Sequence, residues 1–363
     1  MPTILLVIAI LVLLIVAHEF GHFVAAKIFK VRVEEFGIGY PPRAFLFGKA
    51  GDTEYTLNWL PFGGFVRLFG DEGEGQYGKG SFVDAKRSVQ AIVLVSGVVA
   101  NIIAAYLLFA GALSLGIPRV VEEGAAASSA HLLVADVVDD SPARAAGLIA
   151  GDELIAISDA DGSAPEELSP QGVIAFVRER AGEPLSIIYM RANATSTATL
   201  KPAHAVIADE AGRPALGLAL VMVSNEALTL SESLKQSLIL TRDAVASVSK
   251  GLWSILRDAL TGSPNLSDIV GPVGLVSVVS DAATHGAGNV MALAGFISIN
   301  LAIINLIPIP ALDGGRLVFL AVETAMRKKA PRLIAQIVNA LGIFFIIFLM
   351  IAVTYQDIAR LLS

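Results

Sequence analysis

Residues 17–23 read Ala17-His18-Glu19-Phe20-Gly21-His22-Phe23, a His-Glu-x-x-His box embedded in an apolar run. Ile4 to Ala17 is apolar without interruption, and Phe23 to Ala26 continues the run as far as Lys27. In a helix the i, i+4 spacing sets both imidazoles on one face about a turn apart, near enough to share one Zn2+. Glu19 then lies beside them as a base toward water. Each ionisable group at membrane depth costs roughly 2.5–3.5 kcal/mol on insertion scales, so three together require a compensating partner. A metal ion supplies one.

Outward from the box, composition sets the class. Of 363 residues, 55% are apolar and 16% charged, and the mean hydropathy is +0.69, more apolar and less charged than the average soluble domain. The sequence therefore predicts a multi-pass α-helical membrane protein. Besides the first run, Ser88 to Pro118, about His285 to Leu312, and Leu333 to Gln356 are free of charge and long enough to cross roughly 30 Å of hydrocarbon, giving about four transmembrane helices. A net charge of −7 without a basic, aromatic-interleaved stripe argues against a nucleic-acid partner. With no cysteine, metal ligands must be His or carboxylate. The N-terminal run lacks a basic n-region and a small-x-small cleavage site, so it is expected to stay attached as a membrane helix.

Orientation follows from the basic residues. Nine Lys and Arg from Lys27 to Arg87 lie between the first two spans, and five from Arg316 to Arg332 between the last two. Both loops are expected in the cytoplasm, with the N-terminus, the large polar segment and the C-terminus outside.

Between the first two spans, short β-like stretches (Arg32–Gly39, Ala44–Phe47, Glu54–Leu60, Gly64–Leu68) are punctuated by Pro41-Pro42, Gly51-Asp52 and Gly63-Gly64. Tyr55, Leu57, Trp59 and Phe65 make this loop too apolar for ordinary cytoplasmic sequence. A membrane-associated β-hairpin is expected, dipping beside the first helix where protein or a wet cavity satisfies its backbone. From Val120 to Pro202 strands and helices alternate. The stretch from Ser141 to Gly162 resembles the core of a bacterial PDZ domain, which binds an extended peptide along a sheet edge. The expected organisation is residues 1–118 as N-terminal membrane part, 119–205 as an inserted extracytoplasmic α+β PDZ domain, 206–284 as linker and amphipathic helix, and 285–363 as C-terminal membrane part. A capping box, Thr229-x-x-Glu232, opens the amphipathic helix.

Two imidazoles leave a catalytic zinc one protein ligand short. Glu34 and Glu35 are the nearby candidates, and Asp313 in Asn305-Leu306-Ile307-Pro308-Ile309-Pro310-Ala311-Leu312-Asp313-Gly314-Gly315 is the distant one. Pro308 and Pro310 deny backbone donors and must break the third apolar run there, freeing local carbonyls.

The box together with the Asn305–Gly315 stretch resembles the site-2 protease family of intramembrane zinc metalloproteases. Leu60–Glu72, Ser96–Asn101, Gly271–Leu275 and the PDZ unit extend that resemblance over nearly the whole chain, most closely to the bacterial branch that cleaves anti-sigma factors and signal-peptide remnants. The family's Gly-Pro-x-x-Asn appears here as Gly97-Val98-Val99-Ala100-Asn101, without the proline. The resemblance implies Zn2+ held by His18, His22 and Asp313, Glu19 as catalytic base, and Asn305 against the substrate backbone. Leu57, Gly63, Gly64 and Val66 would take the unwound substrate as an added strand. It also implies single-pass membrane proteins as substrates, a bacterial inner membrane location in contact with lipid, and a peptide or C-terminus at the PDZ domain. A transporter would show inverted repeats, which the sequence lacks, and an inactive PDZ scaffold would have no use for Glu19. His131, His204 and His285 are read as ordinary residues.

Overall fold

The computed structural model describes residues 2–71, 77–121, 130–191, 194–204, 213–261, 271–328 and 331–362. Glu72, Lys329 and the expected domain boundary at 205 lie outside these. The chain divides into two units, residues 1–115 with 228–363, and residues 116–227.

Among the described residues of the first unit, four helices are long and apolar enough to cross a membrane: α1 (Pro2–Ile28), α2 (Arg87–Ser114), α7 (Ala287–Leu306) and α9 (Arg332–Leu362). Each is at least 20 residues, which at 1.5 Å per residue is about 30 Å or more. Two shorter helices went unread in the sequence: α6 (Pro272–Thr284) and α8 (Asp313–Met326). The third span accordingly ends at Leu306, six residues before the expected Leu312, because the Pro308-x-Pro310 segment cannot continue it and Asp313 starts a new helix. The amphipathic α5 (Leu230–Thr261) begins at the expected capping box, with the Thr229 hydroxyl 2.7 Å from Glu232 Oε2. Its Leu240, Ala244 and Val248 join Ala105 and Phe109 of α2 and Ile299 of α7 in one apolar cluster.

The β region is two long strands, β1 (Val33–Ala50) and β2 (Thr53–Leu68), each bent back on itself. Residues 40–50 pair with 53–60 as a hairpin, residues 33–38 pair with 64–68, and Glu35–Ile38 also pair in ascending order with Glu54–Leu57. The rungs therefore run 43–50, 53–60, 33–38, 64–68, which leaves Gly64–Leu68 as an outer edge and Leu57 inside, between Phe45 and Ile38. This sheet lies along α1. Lys27 Nζ donates to Thr53 Oγ1 at 2.7 Å near one end, and a Cβ on Gly63 would come within 3.7 Å of Ile15 at the other. Twelve helical residues separate those contacts, about 18 Å of depth. Trp59, Phe45, Phe47 and Leu60 of the sheet remain exposed, the composition of a lipid-facing surface.

Glu35 is only 4% exposed, held by Arg67 Nη2 at 2.6 Å, Arg43 Nη2 at 3.2 Å and the Thr56 hydroxyl at 2.7 Å. Glu34 pairs with Arg67 at 3.6 Å. Both carboxylates thus serve the sheet.

The second unit carries strands β3 (Arg119–Val120), β4 (Ala130–Val137), β5 (Glu153–Ser158), β6 (Leu185–Arg191), β7 (Ala194–Leu200) and β8 (Leu218–Ser224) in one sheet of order β3-β8-β4-β5-β6-β7, with helices α3 (Pro142–Ala145) and α4 (Pro170–Arg178). Ser141 and Ser169 cap these helices as their sequence context dictates, accepting from Arg144 N–H and Gly172 N–H. Leu132, Val134, Leu148, Leu154, Ile157 and Ile187 pack against Val173, Phe176 and Val177. β8 (Leu218–Ser224) pairs with β3 and β4, so the unit extends past residue 205 to Ala227. Its sequence, Leu-Ala-Leu-Val-Met-Val-Ser, shows no polar alternation because it is flanked by strands and packed on the core.

Candidate metal centre

Three elements converge on the box. α1 brings His18 and His22, both buried, and the turn after α7 brings Asp313 as the first residue of α8. Asp313 Oδ2 lies 2.9 Å from His18 Nε2 and 3.2 Å from His22 Nε2, and the two Nε2 atoms are 3.1 Å apart. A tetrahedral zinc with bonds of about 2.0–2.1 Å has ligand atoms about 3.3 Å apart, so this triangle fits the ion closely. Among the described residues these three form the one His/Cys/Asp/Glu group able to hold a metal.

The approach of Asp313 depends on Gly314 and Gly315. A Cβ on either would meet backbone carbonyl oxygens of Ile307 or Ile309 at 2.2–2.3 Å, so only glycine lets α8 start directly against the preceding turn. Ala311 takes a left-handed backbone, φ +76°, to make that turn.

α2 forms the floor. Val93, Gly97 and Asn101, four residues apart, share one face of this unbroken helix. The Val93 carbonyl accepts from His22 Nδ1 at 2.7 Å, which directs the Nε2 lone pair toward the metal position. A Cβ on Gly97 would sit 2.5 Å from His22 Nε2 and 2.7 Å from His18 Nε2. Gly97 is therefore the gap that the two imidazoles occupy, and a metal held between them would need it. Gly21 permits the close helix contact on the α1 side, where a Cβ would lie 2.3 Å from the Ser96 carbonyl oxygen.

Glu19 points toward the β sheet. Its Oε2 accepts from the Val66 N–H at 3.1 Å, so Glu19 and the outer strand edge are in direct contact. Gly64, Val66 and Asn305 all line the same cavity of about 450 Å³ as the box and Asp313. Leu57 and Gly63 do not line it: Leu57 is on an inner rung, and Gly63 makes the turn at φ +95° beside Tyr40. None of His131, His204 and His285 reaches the cavity, and His131 pairs with Glu153 at 2.7 Å.

Sequence reasoning missed four contributors. Val93 acts through its carbonyl and Gly97 through an absent side chain, neither of which leaves a signature. Tyr40 lines the cavity beside stacked Phe65. Arg316, one turn past Asp313, pairs with Asp71 where both border the cavity. The spacing of Asp313 and Arg316 on one helix face is the signal that was available for the last.

Known proteins bear on this geometry. A Clostridium perfringens relative is 34% identical over 95% of this chain and 95% of its own length. The zinc metalloprotease RasP of Shouchella clausii is 30% identical, with 100% of each chain covered. Among solved structures, the PDZ domain of an SdrC-like protein from Listeria monocytogenes matches 28% of this chain and 92% of its own at 26% identity, with a TM-score of 0.21. The sequence fits peptidase family M50 from residue 6 to residue 349, and the chain belongs to that family.

Proposed function

We propose that this protein is a zinc-dependent endopeptidase that hydrolyses peptide bonds in or near the transmembrane segments of single-pass membrane proteins. The observation that carries the proposal is the 2.9–3.2 Å triangle of His18, His22 and Asp313 among apolar helices, with Glu19 beside it. Zinc, when bound there, supplies Lewis acidity and lowers the pKa of water to about 7. Glu19 takes the proton from the attacking water and delivers it to the leaving amine, a contribution of roughly 10²–10⁴-fold. Asp313 and the two imidazoles hold the ion, and their 295-residue separation joins both ends of the helix bundle at one point.

A substrate helix hides its carbonyls in its own hydrogen bonds, and exposing them in hydrocarbon costs several kcal/mol per group. The Gly64–Leu68 edge, open toward the cavity, offers main-chain partners in exchange. Asn305, half-buried in the cavity wall, is placed to hold the substrate backbone. The second unit reads as a PDZ domain outside the cytoplasm of a bacterial inner membrane, where it would bind an extended peptide or a freshly exposed C-terminus. The basic loops support that orientation.

The test compares purified variants for zinc content and for cleavage of a tagged membrane segment. Glu19→Gln should keep about one zinc per chain and lose cleavage, while His22→Phe and Asp313→Asn should lose both. Full zinc and activity in Asp313→Asn would overturn the ligand assignment.

A further inference from the structure

Asn101 is completely buried, and its side chain faces the metal centre. Its Nδ2 lies 3.3 Å from His18 Nδ1, and its Oδ1 has no hydrogen-bond partner. That pairing is wrong for a metal site. His18 Nε2 faces Asp313 and His22, so a neutral His18 that gives this nitrogen to a metal must carry its proton on Nδ1. An Nδ1–H and an NH2 group cannot bond to each other. The oxygen and nitrogen ends of an asparagine amide are assigned from their partners, not seen directly. Turning this amide half a revolution puts Oδ1 against Nδ1–H and gives the orphaned oxygen a donor. The NH2 end then needs an acceptor, a role that carbonyls one turn back already play for Asn289 and Asn300.

We propose that Asn101 is a positioning residue that accepts the His18 Nδ1–H, fixes the tautomer and plane of that ring, and thereby sets the zinc affinity of the site. The proposal rests on the metal-centre reading above. His22 supplies the parallel case, because its Nδ1 is held by a group that can only accept, the Val93 carbonyl two turns earlier on the same helix. One face of α2 would thus orient both imidazoles, with Gly97 between the two contacts. Asn101 is itself locked, since its backbone carbonyl accepts the hydroxyl proton of buried Ser298 on α7 at 2.8 Å. Partners of this kind raise ligand basicity and hold ring orientation, and losing one typically costs 10–100-fold in metal affinity.

The alternative is that Asn101 only ties helices together. Three variants of the full chain separate the two roles, each read by zinc affinity in chelator competition, by the visible spectrum of the Co2+-loaded protein, and by the melting temperature of the metal-free form. Asn101→Leu keeps the volume and removes the acceptor, so zinc affinity should fall on the order of 10–100-fold with little change in metal-free melting. Asn101→Asp keeps an acceptor, so affinity should stay within about threefold of wild type and the Co2+ spectrum should be preserved. Wild-type zinc affinity in Asn101→Leu would overturn the proposal. So would equal losses in both variants accompanied by a lowered metal-free melting temperature, the outcome of a packing role. Asp313→Asn is the third arm. If it too binds zinc normally, the ligand set itself is wrong; if it loses zinc while Asn101→Leu does not, only the positioning role fails.

Discussion

Replacing Gly97 by alanine adds one methyl group where the metal centre leaves no room. The new Cβ would lie 2.5 Å from His22 Nε2 and 2.7 Å from His18 Nε2, whereas ordinary van der Waals contact begins at 3.4 Å. Relieving the closer contact alone, from 2.5 to 3.4 Å, moves the imidazole by 0.9 Å. Metal–nitrogen bonds hold to within about 0.2 Å, so a shift of that size forfeits the ligand. Misplacement by about 1 Å costs on the order of 10²-fold in rate, and overpacking of this kind costs about 1–3 kcal/mol in stability. The assay is zinc per chain in detergent-purified protein, alongside melting and cleavage of a tagged membrane segment. We expect substoichiometric zinc and cleavage reduced about 100-fold, in a protein that still folds. Val99→Ala, on an exposed part of α2, should change neither quantity. One zinc per chain and wild-type cleavage in Gly97→Ala would refute the geometry of the floor.

Four further outcomes are expected. Val66→Pro removes the donor that holds Glu19 and one rung of the outer edge, so it should keep zinc yet cleave helical substrates far more slowly than Val66→Ala; equal rates would eliminate strand addition at this position. Leu57→Pro, on an inner rung, should instead unfold the sheet. A cysteine at exposed Ser163 should react with impermeant reagents from outside spheroplasts and one at exposed Lys79 should not, the reverse pattern inverting the topology; Ser81, only 2% exposed, would be silent on either side. In the second unit, burial raises the Asp152 carboxyl, but hydrogen bonds from Arg191 and the Ile149 N–H outweigh it and leave the group below its ordinary value. Because the folded value lies below the unfolded one, about 3.9, this stabilisation is complete above that pH and disappears as pH falls through the folded value. Asp152→Ala should therefore cost about 2 kcal/mol at pH 7 and progressively less in acid, measured by calorimetry; a cost independent of pH would contradict the ion-pair account.

How far the sequence could be read depended on the range of each interaction. The His18–His22 pair was legible because helical spacing is local, and the spans because hydrocarbon thickness imposes a length. Asp313 stood out from Glu34 and Glu35 only by its long uncharged approach and the glycines after it, and resemblance made it the third ligand, since nothing local says which carboxylate a chain will bring back across 295 residues. The structure occupies Glu34 and Glu35 with Arg67 and Arg43, a pairing invisible without the register of the sheet. The β-like stretches were found, but the order of their rungs was not, so Leu57 and Val66 could not be told apart as inner and outer. β8 was hidden by its lack of alternation, and α6 and α8 were absorbed into a linker and a basic loop. Val93 escaped altogether, because every residue has a carbonyl.

The distance between the box and Asp313 along the chain also bears on how such an enzyme is made. A ribosome delivers His18, Glu19 and His22 first and Asp313 only 295 residues after His18, behind the sheet, the second span and the entire second unit. On the proposed ligand set, the growing chain holds two ligands of three through that interval, and Glu19 has no complete metal centre to serve. The nascent chain then could not cut its neighbours, or itself, while its own later spans are still unfolded and most resemble the proposed substrates. On the proposed ligand set, a polypeptide that stops short of Asp313 would be inserted but inert, so proteolytic power would wait on the synthesis of that one late residue.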